Sequence, residues 1–168
     1  MIIIINGSVG VGKSSVSEQL HWKFDKSVNL DGDHIGYVHP FEIYDDARIS
    51  HLYRTLELLI SFHQKNDYHN FVINYVFESA ESLQELLELL RPLDSSIHTY
   101  WLTCNAEEQA RRIQARQRDQ IEWEMKRFME LQQIQAKAAR QGFIGKEIDT
   151  TNLTSAETAK AIWKDIFG

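Results

Sequence analysis

The sequence contains one cysteine, Cys104, and two prolines, Pro40 and Pro92, among 168 residues. A lone cysteine excludes an internal disulfide and suits a reducing, cytoplasmic setting. Placed just beyond an apolar run, Cys104 reads as a small buried hydrophobe at a strand end. With so few prolines and no repeat or low-complexity tract, the chain offers no linker, and residues 1–168 read as a single domain. No apolar run approaches the roughly 20 residues of a membrane span. The apolar residues at the start lack a basic segment and a cleavage site, so they read as a strand rather than a signal peptide. Basic residues are also few: 18 Lys and Arg stand against 24 Asp and Glu, a net charge of −6. That balance argues against a nucleic-acid partner.

The informative segment is the N-terminus. Met1 and four isoleucines lead through Asn6 into Gly7-Ser8-Val9-Gly10-Val11-Gly12-Lys13-Ser14-Ser15. The spacing G-x-x-x-x-G-K-S, set between a β-branched run and an amphipathic stretch, is the P-loop pattern. Glycines let a backbone curl around an anion without Cβ clashes. Successive N–H groups then converge as a nest, and the next helix adds its positive end. Lys13 brings a full charge to the β- and γ-phosphates, and the Ser14 hydroxyl can ligate Mg²⁺. ATP and Mg²⁺ are therefore the expected cofactors, with residues 7–15 as their cradle.

Hydrophobic spacing predicts strands at 2–5, 28–30, 71–75, 98–102 and 146–149. Helices are expected at 13–24, 45–64, 79–90, 155–167 and over 105–140, the last broken near Asp119. Strands alternating with helices mean parallel strands joined by right-handed crossovers. In such sheets the ligand lies off the carboxyl ends of the strands.

Several segments resemble those of the small P-loop kinases that act on metabolites, such as the shikimate, gluconate and adenylylsulfate kinases and chloramphenicol phosphotransferase. The resemblance rests on the loop at 7–14, on Leu30-Asp31-Gly32-Asp33, on Arg112 and Arg116, and on Ile148-Asp149-Thr150-Thr151. It implies a P-loop NTPase fold of three α/β/α layers, with a five-stranded parallel sheet in the order 2-3-1-4-5 and a helical lid near 112–125. It also implies transfer of the γ-phosphoryl group of ATP to a hydroxyl of a small molecule, by a monomer or homodimer. On this likeness Arg112, Asp149 and Thr150 would lie by the adenine, and Arg116 would reach the phosphates, with Arg111 and Arg118 as alternatives. One departure is Asn74, where many P-loop proteins place an acidic residue.

The strand-end aspartates are the other chemical candidates. Asp31 would serve the metal's water shell and Asp33 would accept the proton of the attacking hydroxyl; the competing reading is an Asx turn. Lys13, Asp33 and Arg116 form the expected catalytic set, with Ser14 and Asp31 at the metal. Arg48 and Arg54 could hold an anionic group of the acceptor. No histidine pair has a metal-ligand spacing. Trp22, Trp101 and Trp163 read as core, Trp123 as a residue near the lid, and the glutamine-rich run at 131–141 as an amphipathic helix. Two other functions fit the same features: a nucleoside or nucleotide kinase, and an ATP-binding switch or resistance protein with little transfer.

Overall fold

The computed structural model describes residues 1–116 and 119–168. Its centre is strand β1 (Ile2–Gly7), buried along its whole length. A run of β-branched side chains suits a strand covered on both faces, and the packing divides that run by parity. Ile2 and Ile4 enter one core with Leu52, Leu56 and Ile60 and with Leu83, Leu86 and Leu90. Ile3 and Ile5 enter the other with Val16 and Leu20 and with Ala159 and Ile162. Fully burying one such side chain contributes about 1.5–3 kcal/mol.

In chain order the elements are β1, α1 (Lys13–His21), β2 (Val28–Asp31), α2 (Gly32–Ile35), α3 (Asp46–Gln64), β3 (Phe71–Tyr75), α4 (Ala80–Leu90), β4 (Ile97–Thr103), α5 (Ala106–Ala115), α6 (Ile121–Gln141), β5 (Lys146–Asp149) and α7 (Ser155–Phe167). All neighbouring strands are parallel, in the order β2-β3-β1-β4-β5. This is the expected topology. Polar side chains mark the helix starts. Ser79 accepts from the Ser82 N–H, Asn105 from the Glu108 N–H, and Thr154 and Glu157 form a reciprocal capping box.

Three expectations need correction. Helix α1 ends at His21, three residues before Phe24. Trp22, in the turn beyond it, is 74% exposed and forms no part of the core. Cys104 lies just past β4 and is half-buried rather than buried. The four-residue helix α2 is an addition, because one helical turn leaves no periodicity to read. Among the described residues, no helix is long and apolar enough to cross a membrane.

Candidate phosphate-binding cleft

The loop between β1 and α1 takes the backbone form that its glycines permit. Gly10 has φ +89° and Gly12 has φ +101°, both in the left-handed region. A Cβ on Gly10 would also lie 2.8 Å from Cγ1 of Ile113 on α5, so helix and loop meet at a point where only glycine fits. Ser8, Val11 and Lys13 are buried, whereas Ser14 and Ser15 at the start of α1 remain exposed.

The Lys13 ammonium bridges the loop, donating to the Ser8 carbonyl at 3.2 Å. Burial lowers its pKa, Asp33 opposes that shift, and Arg116 adds to it; Asp31 acts in the same sense as Asp33. Lys13, Asp33, Arg116 and Asp31 therefore share one electrostatic neighbourhood, although α1, α2, the end of α5 and β2 carry them there separately. Arg116 caps the end of α5 and lies 3.8 Å from Glu124 on α6. Arg118, the alternative to Arg116, lies outside the described residues.

Asp31 answers both readings of its position. Its Oδ1 accepts from the Asp33 and His34 N–H groups and so caps α2. Its Oδ2 lies 3.3 Å from Ser14 Oγ, which is also 3.5 Å from Oδ1 of Asn74. A hydroxyl, a carboxylate and an amide oxygen thus face one another where the sheet ends. Asn74 is buried, and its Nδ2 has no hydrogen-bond partner among the described residues. These hard oxygen donors fit Mg²⁺, which keeps several waters and shares phosphate oxygens. Among the described residues, no group of three or more His, Cys, Asp or Glu could hold a metal by itself.

At the other end of the loop, Arg112 ties three segments together. Its guanidinium donates to Thr150 Oγ1 at 3.1 Å, to the Thr150 carbonyl at 2.7 Å and to the Val11 carbonyl at 3.4 Å. Glu108 holds it from the same helix at 2.8 Å. Hydrogen bonds from Arg111 and Arg112 hold the Glu108 carboxyl down at about 2. Thr150 also bonds Val11, while Asp149 accepts from the backbone and hydroxyl of Thr151. Arg112, Asp149 and Thr150, expected together, do lie together beside the loop.

Arg48 and Arg54, which could hold an anionic group of the acceptor, both have partners within the protein. Arg48 is buried and donates to the carbonyls of Glu42 and Ile43, each at 2.8 Å, and of Gly36 at 3.5 Å. It secures the segment after α2. Arg54 is exposed and pairs with Glu57 on its own helix.

Four further residues shape the cleft without standing out in the sequence. Gln109 of α5 is fully buried and donates to Ser8 Oγ and to the Val9 carbonyl; Gln132 of α6 donates to its oxygen at 3.0 Å. Gln135 donates to Asn6 Oδ1 and to the Phe77 carbonyl, each at 3.0 Å, and accepts from the Trp101 indole. Arg127 of α6 bonds Tyr44 at 2.9 Å and pairs with Glu78 beyond β3. A polar residue on the apolar stripe of a helix is the available signal: Gln109 with Ile113, and Gln135 with Leu131 and Ala138.

The architecture matches solved structures along nearly its full length. A tunicamycin resistance protein from Deinococcus radiodurans superposes with TM-score 0.68 at 19% identity, covering 99% of this chain and 95% of that one. For a sugar kinase from Janibacter the values are 0.66, 15%, 99% and 95%. For a shikimate kinase from Bacteroides thetaiotaomicron they are 0.65, 14%, 98% and 97%. At such identities the likeness shows a shared P-loop kinase fold. No curated protein matches the sequence. The phosphate loop, the aspartate strand end, the arginine helix and most of α6 all fall within residues 3–135, the span matched by the family model described as AAA domain, and the chain belongs to that P-loop family.

Proposed function

We propose that the protein is an ATP-dependent kinase that transfers the γ-phosphoryl group to a hydroxyl of a small molecule. The observation that carries this reading is the convergence of Lys13, Ser14, Asp31, Asp33 and Arg116 at the carboxyl end of the sheet. The loop N–H groups and Lys13 would hold the β- and γ-phosphates. Ser14, Asp31 and Asn74 would surround a magnesium ion, whose charge neutralises the phosphate oxygens when bound. Asp33 would orient the acceptor hydroxyl and take its proton as the oxygen attacks the γ-phosphorus. The bond from phosphorus to the β–γ bridging oxygen then breaks, and ADP leaves. Arg116 would stabilise charge on the transferred group. Catalysis of this kind is mainly positioning and electrostatics. Arg112, Asp149 and Thr150 would border the adenine. The single cysteine and this reading suit the cytoplasm, as a monomer or homodimer.

The test is ADP release from MgATP with and without a panel of hydroxyl-bearing metabolites, nucleosides and antibiotics. Acceptor-dependent release with a phosphorylated product supports the kinase; tight ATP binding with no transfer to any acceptor favours a second reading. In that reading the protein binds ATP as a switch or resistance protein. Asn74 supports it, since an amide brings no negative charge to the metal.

A further inference from the structure

Helix α6 buries a stripe of Glu124, Arg127, Phe128, Leu131, Gln135 and Ala138, spaced mostly three and four residues apart. Its first member is a carboxylate, at a place where the spacing favours an apolar side chain. Glu124 is 6% exposed. Taking a carboxylate out of water is costly unless a cation stands beside it. Nη1 of Arg116 lies 3.8 Å from Glu124 Oε2. At that distance the contact is ionic rather than a hydrogen bond.

Both sides of the contact are anchored to the phosphate loop. Arg116 closes α5 with its N–H on the Ile113 carbonyl, and Gln109 and Ile113 of the same helix meet the loop at Val9 and Gly10. On the other side, Phe128 and Leu131 bury the turns of α6 that follow Glu124, and Gln132 donates to Gln109. The carboxylate therefore has a set place relative to the loop.

The contact matters because of what Arg116 faces. Its charge acts on Lys13 as a like charge and loosens the hold of Lys13 on its proton. Two cations in one cleft repel each other until a phosphate lies between them. Asp33 and Asp31 offset that repulsion on the Lys13 side. Glu124 offsets it on the Arg116 side. A donor already held where charge will develop costs no reorganisation at the moment of reaction.

We infer that Glu124 is the positioning residue of Arg116: its buried carboxylate holds the guanidinium beside Lys13, in place for the terminal phosphate before a nucleotide binds. This rests on the kinase reading above for the placing of Arg116 at the phosphates. The carboxylate's own charge works the other way, since it repels a phosphate. A phosphate bound to the guanidinium would lie nearer to it than to the carboxylate behind, so the attraction prevails.

The experiment compares, by calorimetry, the affinities for MgADP and for the magnesium complex of the non-hydrolysable β,γ-imido analogue of ATP. Their ratio reads the terminal phosphate and needs no acceptor. Wild type, Glu124→Gln, Arg116→Ala and the double variant are measured, with circular dichroism to confirm folding. Glu124→Gln should lower the preference for the triphosphate about fivefold or more, and leave MgADP affinity within about twofold. In the Arg116→Ala background the same change should have no further effect. Glu124→Asp keeps the charge and withdraws it by one methylene. It should fall between, and it carries the test if the glutamine variant does not fold.

An unchanged or increased preference in Glu124→Gln overturns the inference. So does an equal loss in both backgrounds, which would assign the carboxylate to another cation such as Arg118. An unchanged preference in Arg116→Ala removes Arg116 from the phosphates, and the inference with it. Transfer to the acceptor panel judges the kinase reading separately: a preference that depends on Glu124 through Arg116, with no transfer, keeps the inference and ends the kinase reading.

Discussion

The side-chain amide of Gln109 on α5 donates to the backbone carbonyl of Val9, so a helix one hundred residues away in sequence sets the shape of the phosphate loop. The same nitrogen also reaches Ser8 Oγ, and Gln132 fixes the amide from α6. Removing a buried donor leaves its acceptors unsatisfied, at about 1–3 kcal/mol. Gln109→Leu should therefore raise KM for ATP by roughly 5–30-fold, the factor for a 1–2 kcal/mol loss. Steady-state kinetics checks this, with Gln132→Leu giving a smaller effect in the same direction. An unchanged KM in both variants would mean that the loop holds its shape without α5.

Lys13→Ala should reduce transfer about 10²–10³-fold or more, on the scale of losing a preorganised electrostatic donor. Normal turnover by this variant would end the phosphate-loop assignment. The pH behaviour gives a second check. Burial, reinforced by Arg116 and opposed by Asp33, holds the Lys13 ammonium below its ordinary 10.5. The folded apo protein thus binds this proton less tightly than the unfolded chain. Its charge costs stability at neutral pH, and that cost fades as pH rises through the lowered value toward 10.5. Phosphate oxygens reverse the balance, so ATP binding should take up protons at alkaline pH and weaken as pH climbs past the apo value. Calorimetry in buffers of different ionisation heat measures that uptake.

Asp31→Asn and Asp33→Asn should separate metal handling from proton transfer. Asparagine caps a helix about as well as aspartate, so α2 should survive the first change. Asp31→Asn should raise the Mg²⁺ concentration for half-maximal rate. Asp33→Asn should keep nucleotide affinity and lose most of kcat, because an amide cannot take the acceptor proton. Mg²⁺ titrations of rate for both variants decide the matter; two wild-type curves would remove both assignments.

Asn74→Asp should shift the metal requirement the other way. A carboxylate at the end of β3 would join Asp31 around Ser14 and lower the Mg²⁺ needed for half-maximal rate. Without metal, the buried charge beside Asp31 should lower Tm, by about 2–4 °C for each 1 kcal/mol lost in a chain of this size. Thermal melts with and without Mg²⁺ should therefore diverge more for this variant than for wild type.

Arg116→Ala should lower kcat and kcat/KM together, by about 10²-fold or more, because a guanidinium that stabilises the transferring group acts mainly in the transition state. ATP affinity, read from Trp123 fluorescence with a non-hydrolysable analogue, should change far less. A normal kcat would remove Arg116 from the reaction.

The fold is legible in the sequence because its signals are local. Four isoleucines before Gly7 can only be a strand covered on both sides, and the glycine spacing fixes the loop and helix start behind it. Asp31, Asp33 and Arg112 are legible for the same reason: each sits at or near an element end with a recognisable neighbourhood. Gln109, Gln135 and Arg127 are not, since their partners lie on other elements and nothing within a few residues marks them. Arg48 shows the converse. A guanidinium near the acceptor segment reads from sequence as an anion grip, yet its hydrogen bonds go to three backbone carbonyls that only the folded chain brings together. Trp22 departs from its core reading because α1 ends one residue before it, which turns the indole out to solvent.

The Asn6 side chain joins three parts of the chain that synthesis produces far apart in time: β1, the segment after β3, and the stretch from α6 to the approach to β5. Its oxygen accepts from the Phe77 N–H and from Gln135 of α6, and its nitrogen donates to the Ile144 carbonyl. Every partner is buried, so none can be lost without leaving a polar group stranded away from water. A half-assembled molecule, with the sheet formed and α6 still undocked, would carry that penalty at the strand leading into the phosphate loop. The hydrogen bonds thus couple the strand that leads into the phosphate loop to the docking of the long helix.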